Sequence, residues 1–196
     1  MALREILICG DPVLRRKAQR VKEVTDETRA LLADMVETMM EAPGLGLAAP
    51  QVGESVRCIV VRDKADSEEE RLYQLVNPRV RARAGEAFMY EGCLSLPTLQ
   101  GEVRRPHSVV VTAQGPDGEE VRLEAEGLLA RVLMHEMDHL DGVLFSERSE
   151  PGTLGWMVPD ETEEGGYRLE PTNQEEINAA YARLLKRRQQ QSAQGK

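Results

Sequence analysis

Apolar positions along the chain change their period several times, and each change marks an element. Ile6-Leu7-Ile8-Cys9 reads as a short apolar strand or extended segment, stopped by Gly10-Asp11-Pro12. Asp11 is placed to N-cap a short helical turn around Val13 to Ala18, with Pro12 at its first position. From Asp26 the period becomes helical. Leu31, Leu32, Met35, Met39 and Met40 recur at helical spacing, Asp34 and Glu37 fall between them, and Pro43-Gly44 ends the run. Core packing accounts for a methionine stripe of this kind.

A small, glycine-rich stretch follows from Gly44 to Gly53, and Arg57-Cys58-Ile59-Val60-Val61 then reads as a buried strand. Asp63 to Arg71 is expected to be a charged loop between strands. Strand-like segments follow at Leu72–Val80, Ala87–Tyr90, Ser108–Thr112 and Glu120–Leu123, with Pro116-Asp117-Gly118 as a hairpin turn between the last two. Gly127 to Leu140 is a second long helix, with Leu128, Leu129, Val132, Leu133 and Leu140 apolar and Gly142 as its stop. Strands first and a long helix after them predict an α+β arrangement rather than alternating βαβ units.

Past Pro151 the pattern becomes acidic and rich in turn residues, so 151–172 is expected to be a linker or mobile loop. An amphipathic helix is predicted over Asn173–Arg188, with Ile177, Tyr181, Leu184 and Leu185 on one face, a basic end at Lys186-Arg187-Arg188 and a polar tail. The expected organisation is therefore a catalytic body over 1–150, the acidic linker over 151–172, and a C-terminal helix and tail over 173–196.

Composition narrows this picture only a little. A chain of 196 residues with 41% hydrophobic content fits one compact domain, and 4% aromatic content leaves aliphatic and methionine side chains to fill its core. The net charge of −9 and the lack of a long basic stripe argue against a dedicated DNA-binding role. No apolar run reaches the ~20 residues that cross a bilayer, and the first residues do not resemble a secretory signal, so the expected location is the cytoplasm, without a membrane partner. Cys9, Cys58 and Cys93 are too sparse and odd in number for a disulfide framework.

The strongest local signal is His135-Glu136-Met137-Asp138-His139 in the second long helix. Residues four apart share a helical face, so His135 and His139 can hold one metal ion. Glu136, one step round, can handle a proton without being a ligand, and so keeps its basicity. Those two are among only three histidines in the chain; the third, His107, follows Pro106 at a strand start and reads as a surface or structural residue. A catalytic metal needs a further protein ligand. Glu147 and Glu150 lie in a polar turn, whereas Cys93 offers a thiolate beside Gly92. Taken alone, Cys93 also fits a buried thiol, as Cys9 and Cys58 do.

Three segments then coincide. Gly44-Leu45-Gly46-Leu47-Ala48-Ala49-Pro50-Gln51, Glu91-Gly92-Cys93-Leu94-Ser95 and His135-Glu136-Met137-Asp138-His139-Leu140 resemble the signature motifs of peptide deformylases, in order and in spacing. The resemblance covers roughly residues 1–150. It implies antiparallel sheets surrounding the central HExxH helix. It also implies a hydrolase that removes the N-formyl group from the formyl-methionine of newly synthesised polypeptides, releasing formate. Cys93, His135 and His139 would bind one divalent metal, Fe2+ physiologically, with Zn2+, Ni2+ or Co2+ able to substitute. Glu136 would carry the proton from an acidified water to the leaving amine. Gln51 and the backbone N–H of Leu94 would stabilise the oxyanion.

The same resemblance implies that Gly46 meets the substrate backbone, and that Leu45, Met89, Leu128, Val132 and the edge of His135 line the methionine pocket. Glu91 and Arg105 are a candidate supporting pair. Arg131 stands out as a charged residue in the pocket helix. The C-terminal helix would associate with the ribosome through its basic end, although cations complementing the helix dipole explain that end equally well. Two rival readings remain: a zincin-like endopeptidase with a third ligand other than Cys93, and a deformylase-like domain that holds metal without catalysis.

Overall fold

The computed structural model describes residues 2–63, 70–163 and 165–194. The charged loop expected at Asp63 to Arg71 lies mostly outside them. Helix α1 spans Asp26–Glu41, α2 Gly127–Leu140 and α3 Gln174–Gln194. Five strands, β1 (Gly46–Ala48), β2 (Cys58–Asp63), β3 (Arg71–Ala84), β6 (Ser108–Gln114) and β7 (Glu120–Glu126), form one sheet in the order β1-β2-β3-β6-β7. Four more, β4 (Ala87–Cys93), β5 (Leu96–Arg105), β8 (Gly155–Pro159) and β9 (Tyr167–Pro171), form a second sheet in the order β4-β5-β8-β9. Every pairing between these strands is antiparallel, as the α+β reading requires.

Alternation sets which helix covers which face. Ile59 and Val61 on β2 join Val109, Val111 and Ala113 on β6 against Ala130, Leu133, Met137 and Leu140 of α2. The intervening residues Cys58 and Val60 point the other way, onto Leu31, Leu32, Met35 and Met39 of α1. With both faces covered, β2 is apolar at four successive positions. Met40 falls in the predicted α1 stripe, but it is exposed because it lies one residue past the buried row. Gly142 stops α2 with φ +74°; a Cβ there would lie 2.7 Å from the Arg15 carbonyl oxygen, so the turn admits only glycine without a shift.

Several elements differ from the sequence reading. Ile6–Cys9 is extended but joins no ladder; Leu7 N–H donates to the Gln51 carbonyl and Cys9 N–H to that of Ser95, both at 2.8 Å. The expected turn after Asp11 is a short 3-10 helix at Pro12–Arg15, and the Asp11 carboxylate accepts from Val13 N–H at 2.9 Å. Strand β5 has no counterpart in the reading. The stretch expected as an acidic linker contains the β8–β9 hairpin, which adds to the second sheet through Leu99↔Trp156 and Gln100↔Gly155. Helix α3 is docked: Ile177 and Tyr181 are buried with Ile8, Cys9, Leu96, Leu99 and Phe145 in a third apolar cluster.

Candidate metal and catalytic site

Helix α2 runs between the two sheets and presents His135 and His139 from successive turns. The β4–β5 hairpin brings Cys93 to the same place, and the donor atoms of Cys93, His135 and His139 lie within 4.8 Å of one another. Cys93 Sγ is 3.2 Å from His139 Nε2. His135 Nδ1 lies 2.9 Å from Glu91 Oε2, which leaves Nε2 of that ring for the other donors. His139 Nδ1 is buried without a partner among the described residues, and burial drives this imidazole well below its ordinary pKa, toward the neutral form that ligates metal. One thiol and two imidazoles in a buried cluster fit a single transition-metal ion or zinc.

Glu91 is the hub behind these donors. Arg105 clamps it in a two-pronged pair at 2.6 and 2.8 Å, and Arg131 Nη1 adds a bond of 2.6 Å. Burial opposes ionisation of Glu91, but the bonds from Arg105 and His135 win and bring its carboxyl down to about 2. Arg105 also donates to Asp138 at 2.7 Å, and Asp138 in turn holds Arg148 at 2.6 and 2.8 Å. The expected Glu91–Arg105 pair is therefore one part of a larger network. Arg131 does not reach the rim; it is buried and spends its remaining donors on the carbonyls of Val103 and Ala87.

Glu136 is buried beside the donors, with Oε2 unpartnered among the described residues. Burial pushes its carboxyl up to about 7, against the pull of His135 and Arg105, so this side chain can both take and give a proton near neutrality. Gly46 makes room for it: a Cβ there would lie 2.4 Å from Glu136 Oε1 and 2.7 Å from Cγ. Gln51 is fixed at both ends of its amide. Its Oε1 accepts from Ala48 N–H at 2.8 Å, while Nε2 points at Ser95 Oγ at 3.2 Å and Cys93 Sγ at 3.6 Å. The extended N-terminal segment pins this arrangement from behind through the Gln51 and Ser95 carbonyls.

A cleft of about 710 Å³ opens over the site. Leu45, Gly46, Leu128 and Val132 line it, together with Gln51, Cys93, Leu94, His135 and Glu136. Met89 is half exposed and does not line it; Tyr90, its neighbour on β4, does. His107 is exposed, and Glu147 pairs with Arg15 at 2.6 Å away from the donors, so neither contributes. Cys9 and Cys58 are buried thiols, with burial raising Cys58 to about 12. Asp138, Arg148 and Ser95 are the site-supporting residues that sequence patterning misses, whereas Arg131 stands out in sequence as a charge on the pocket helix but without a partner to assign it.

Antiparallel sheets around an HExxH helix, with a thiol and two imidazoles facing a buried carboxyl, define a metal-dependent hydrolase. Comparison with known proteins narrows the class. The polypeptide deformylase profile matches residues 3–153. A peptide deformylase of Natranaerobius thermophilus is 51% identical over 151 residues, 76% of this chain and 94% of that protein. One of Thermomicrobium roseum is 47% identical over 168 residues, 84% of this chain and 96% of that protein. The crystal structure of the peptide deformylase from Thermus thermophilus superimposes with a TM-score of 0.71 at 46% identity, covering 76% of this chain and 86% of that one. The chain belongs to the polypeptide deformylase family. It is an enzyme of that metal-dependent family, which removes the formyl group from an N-terminal methionine.

Proposed function

We propose that Cys93, His135 and His139 hold the metal of this deformylase and that Glu136 is its proton carrier. The observation that carries the reading is the convergence of those three donors beside the buried Glu136 carboxyl, whose Oε2 has no partner among the described residues. A divalent cation bound there supplies a Lewis acid that polarises the formyl oxygen and acidifies a water. Glu136 takes a proton from the water that adds to the formyl carbon. As the C–N bond breaks, it delivers a proton to the leaving nitrogen, giving formate and a free amino terminus. Gln51 Nε2, whose orientation is fixed by Ala48, is aimed at the region where the oxyanion develops, and the Leu94 N–H is its proposed co-donor.

The substrate methionine takes the apolar wall formed by Leu45, Leu128 and Val132, with Gly46 against the peptide backbone. Met89, half exposed next to the cleft-lining Tyr90, serves at most the mouth of that pocket. From the resemblance to peptide deformylases we propose Fe2+ as the physiological ion; the thiolate and two imidazoles themselves suit Zn2+, Ni2+ and Co2+ equally. The proposed substrates are nascent formylmethionyl chains in the cytoplasm. No helix of the described residues is long and apolar enough to cross a membrane. The exposed basic end of α3 is the proposed ribosome contact.

Formate release from formyl-Met-Ala by anaerobic, iron-loaded protein tests the reading. Stoichiometric formate with no cleavage of internal peptide bonds is expected. Internal cleavage would favour the endopeptidase alternative, and metal binding without either product would favour a non-catalytic domain.

A further inference from the structure

We infer that the β8–β9 hairpin, through Met157, forms a selectivity wall for an apolar substrate side chain downstream of the formyl-methionine; the inference rests on the deformylase reading above. The family profile ends at residue 153, so this hairpin lies outside the part that makes the chain a deformylase. Its Met157 nevertheless lines the same cleft as Cys93 and Glu136. The proposed methionine pocket is built from Leu45, Leu128 and Val132, on the β1 approach and α2. The wall containing Met157 belongs to the other sheet, beside Leu96, Pro97 and Leu99 of β5. A peptide whose formyl group sits at the donors and whose methionine fills the first wall has its following residues left for the second.

The hairpin is built in rather than draped. Leu99↔Trp156 and Gln100↔Gly155 extend the sheet, and Met157, next along β8, pairs with Leu169 of β9. Gly101 on β5 allows Ser149 and Leu154 to close in; a Cβ there would lie 2.5 Å from Ser149 Oγ and 2.9 Å from Leu154 Cδ2. Behind the wall, Trp156 packs against Tyr181 of α3 with ring centroids 5.7 Å apart, and Tyr181 Oη donates to the Pro97 carbonyl at 2.9 Å. Thr98, between Pro97 and Leu99, sits in the left-handed region at φ +65°, a strained conformation for a β-branched residue. Strain of this kind persists where surrounding contacts over-determine the backbone, as they do here. Methionine is suited to such a wall, because its flexible thioether adapts to different apolar side chains.

The test is steady-state formate release by full-length, iron-loaded protein from formyl-Met-Xaa-Yaa peptides, with Ala, Leu, Phe or Asp at each of the two downstream positions. The parent protein should favour Leu or Phe over Ala at one position. Met157→Ala should reduce that ratio of kcat/KM by about tenfold, and Met157→Leu, which keeps the volume, should restore it. Met157→Glu should abolish the preference for Leu or Phe and select against Asp at the same position, with thermal midpoints verifying that each variant is folded. Ratios within twofold of the parent in all three folded variants, or no parent preference at either position, would overturn the inference while leaving the deformylase reading intact. No formate from any peptide with the parent protein would overturn both.

Discussion

Glu136 and Gly46 illustrate how tightly single residues are coupled here. The sequence motif calls for a carboxylate beside His135, but only the fold shows that the carboxylate occupies the space a Cβ on residue 46 would need. Gly46→Ala should therefore act through Glu136 as well as through any substrate contact. It should lower kcat/KM for formyl peptides by about a hundredfold or more, the scale on which misplaced proton-transfer groups act. Metal content and thermal midpoint should change little, and near-parental turnover would contradict the role given to that close approach. His135, Glu136 and His139 are readable from sequence because helical spacing alone places them on adjoining faces. Gln51 is readable only through resemblance, and Cys93, a candidate ligand from its own residue type, is separated from a buried thiol only by it, since the partners of both come from other elements. The Asp138–Arg148 and Glu91–Arg131 bonds leave no local pattern at all: each joins residues whose proximity exists only after folding.

Among the elements, those with strong periodicity are legible and those without it are not. Helices α1 and α2 follow their apolar stripes, and β6 and β7 follow their alternation around a turn that Gly118 makes at φ +83°. Strand β5 escapes because Gly101 and Arg105 occupy inward positions on either side of Val103, so its buried face does not read as apolar. Glycine is there for close packing against Ser149 and Leu154, and arginine is there for Glu91. The β8–β9 hairpin is hidden by the acidic turn that connects its strands. Helix α3 is legible in its apolar face, although its docking is not. Because that face is used for packing, the proposed ribosome contact would fall to the exposed Lys186 and Arg187; Arg188 is 3.6 Å from Glu5. Charge reversal at Lys186 and Arg187 should weaken ribosome co-sedimentation at low salt and flatten its salt dependence. Association that is unchanged in the double variant would remove α3 from that role.

For the molecule as a whole, the α+β class, the central helix and the site are accessible from sequence, whereas the buried charge network that ties α2 to β4 and β5 is accessible only in its Glu91–Arg105 pair. That network sets a pH dependence. In the folded chain Glu91 keeps its proton off down to about 2, while in the unfolded chain it takes one up near its ordinary value of 4.5. Its contribution is therefore complete above about pH 4.5 and is lost as pH falls from there through about 2, worth roughly 3 kcal/mol in all. Urea unfolding of metal-free protein should show the midpoint dropping across that window, and a flat profile between pH 5 and 3 would contradict the assignment.

The proposed activity depends on one metal centre, held by Cys93, His135 and His139, working with Glu136 as its proton carrier. It is tested most directly by measuring bound metal and formate release on the same anaerobic preparations of the parent protein, Glu136→Gln and Cys93→Ala. About one equivalent of metal is expected in both the parent and Glu136→Gln. Turnover should be lost from Glu136→Gln, whereas Cys93→Ala should lose both metal and turnover. Parental turnover by Glu136→Gln, or full metal occupancy in Cys93→Ala, would contradict it.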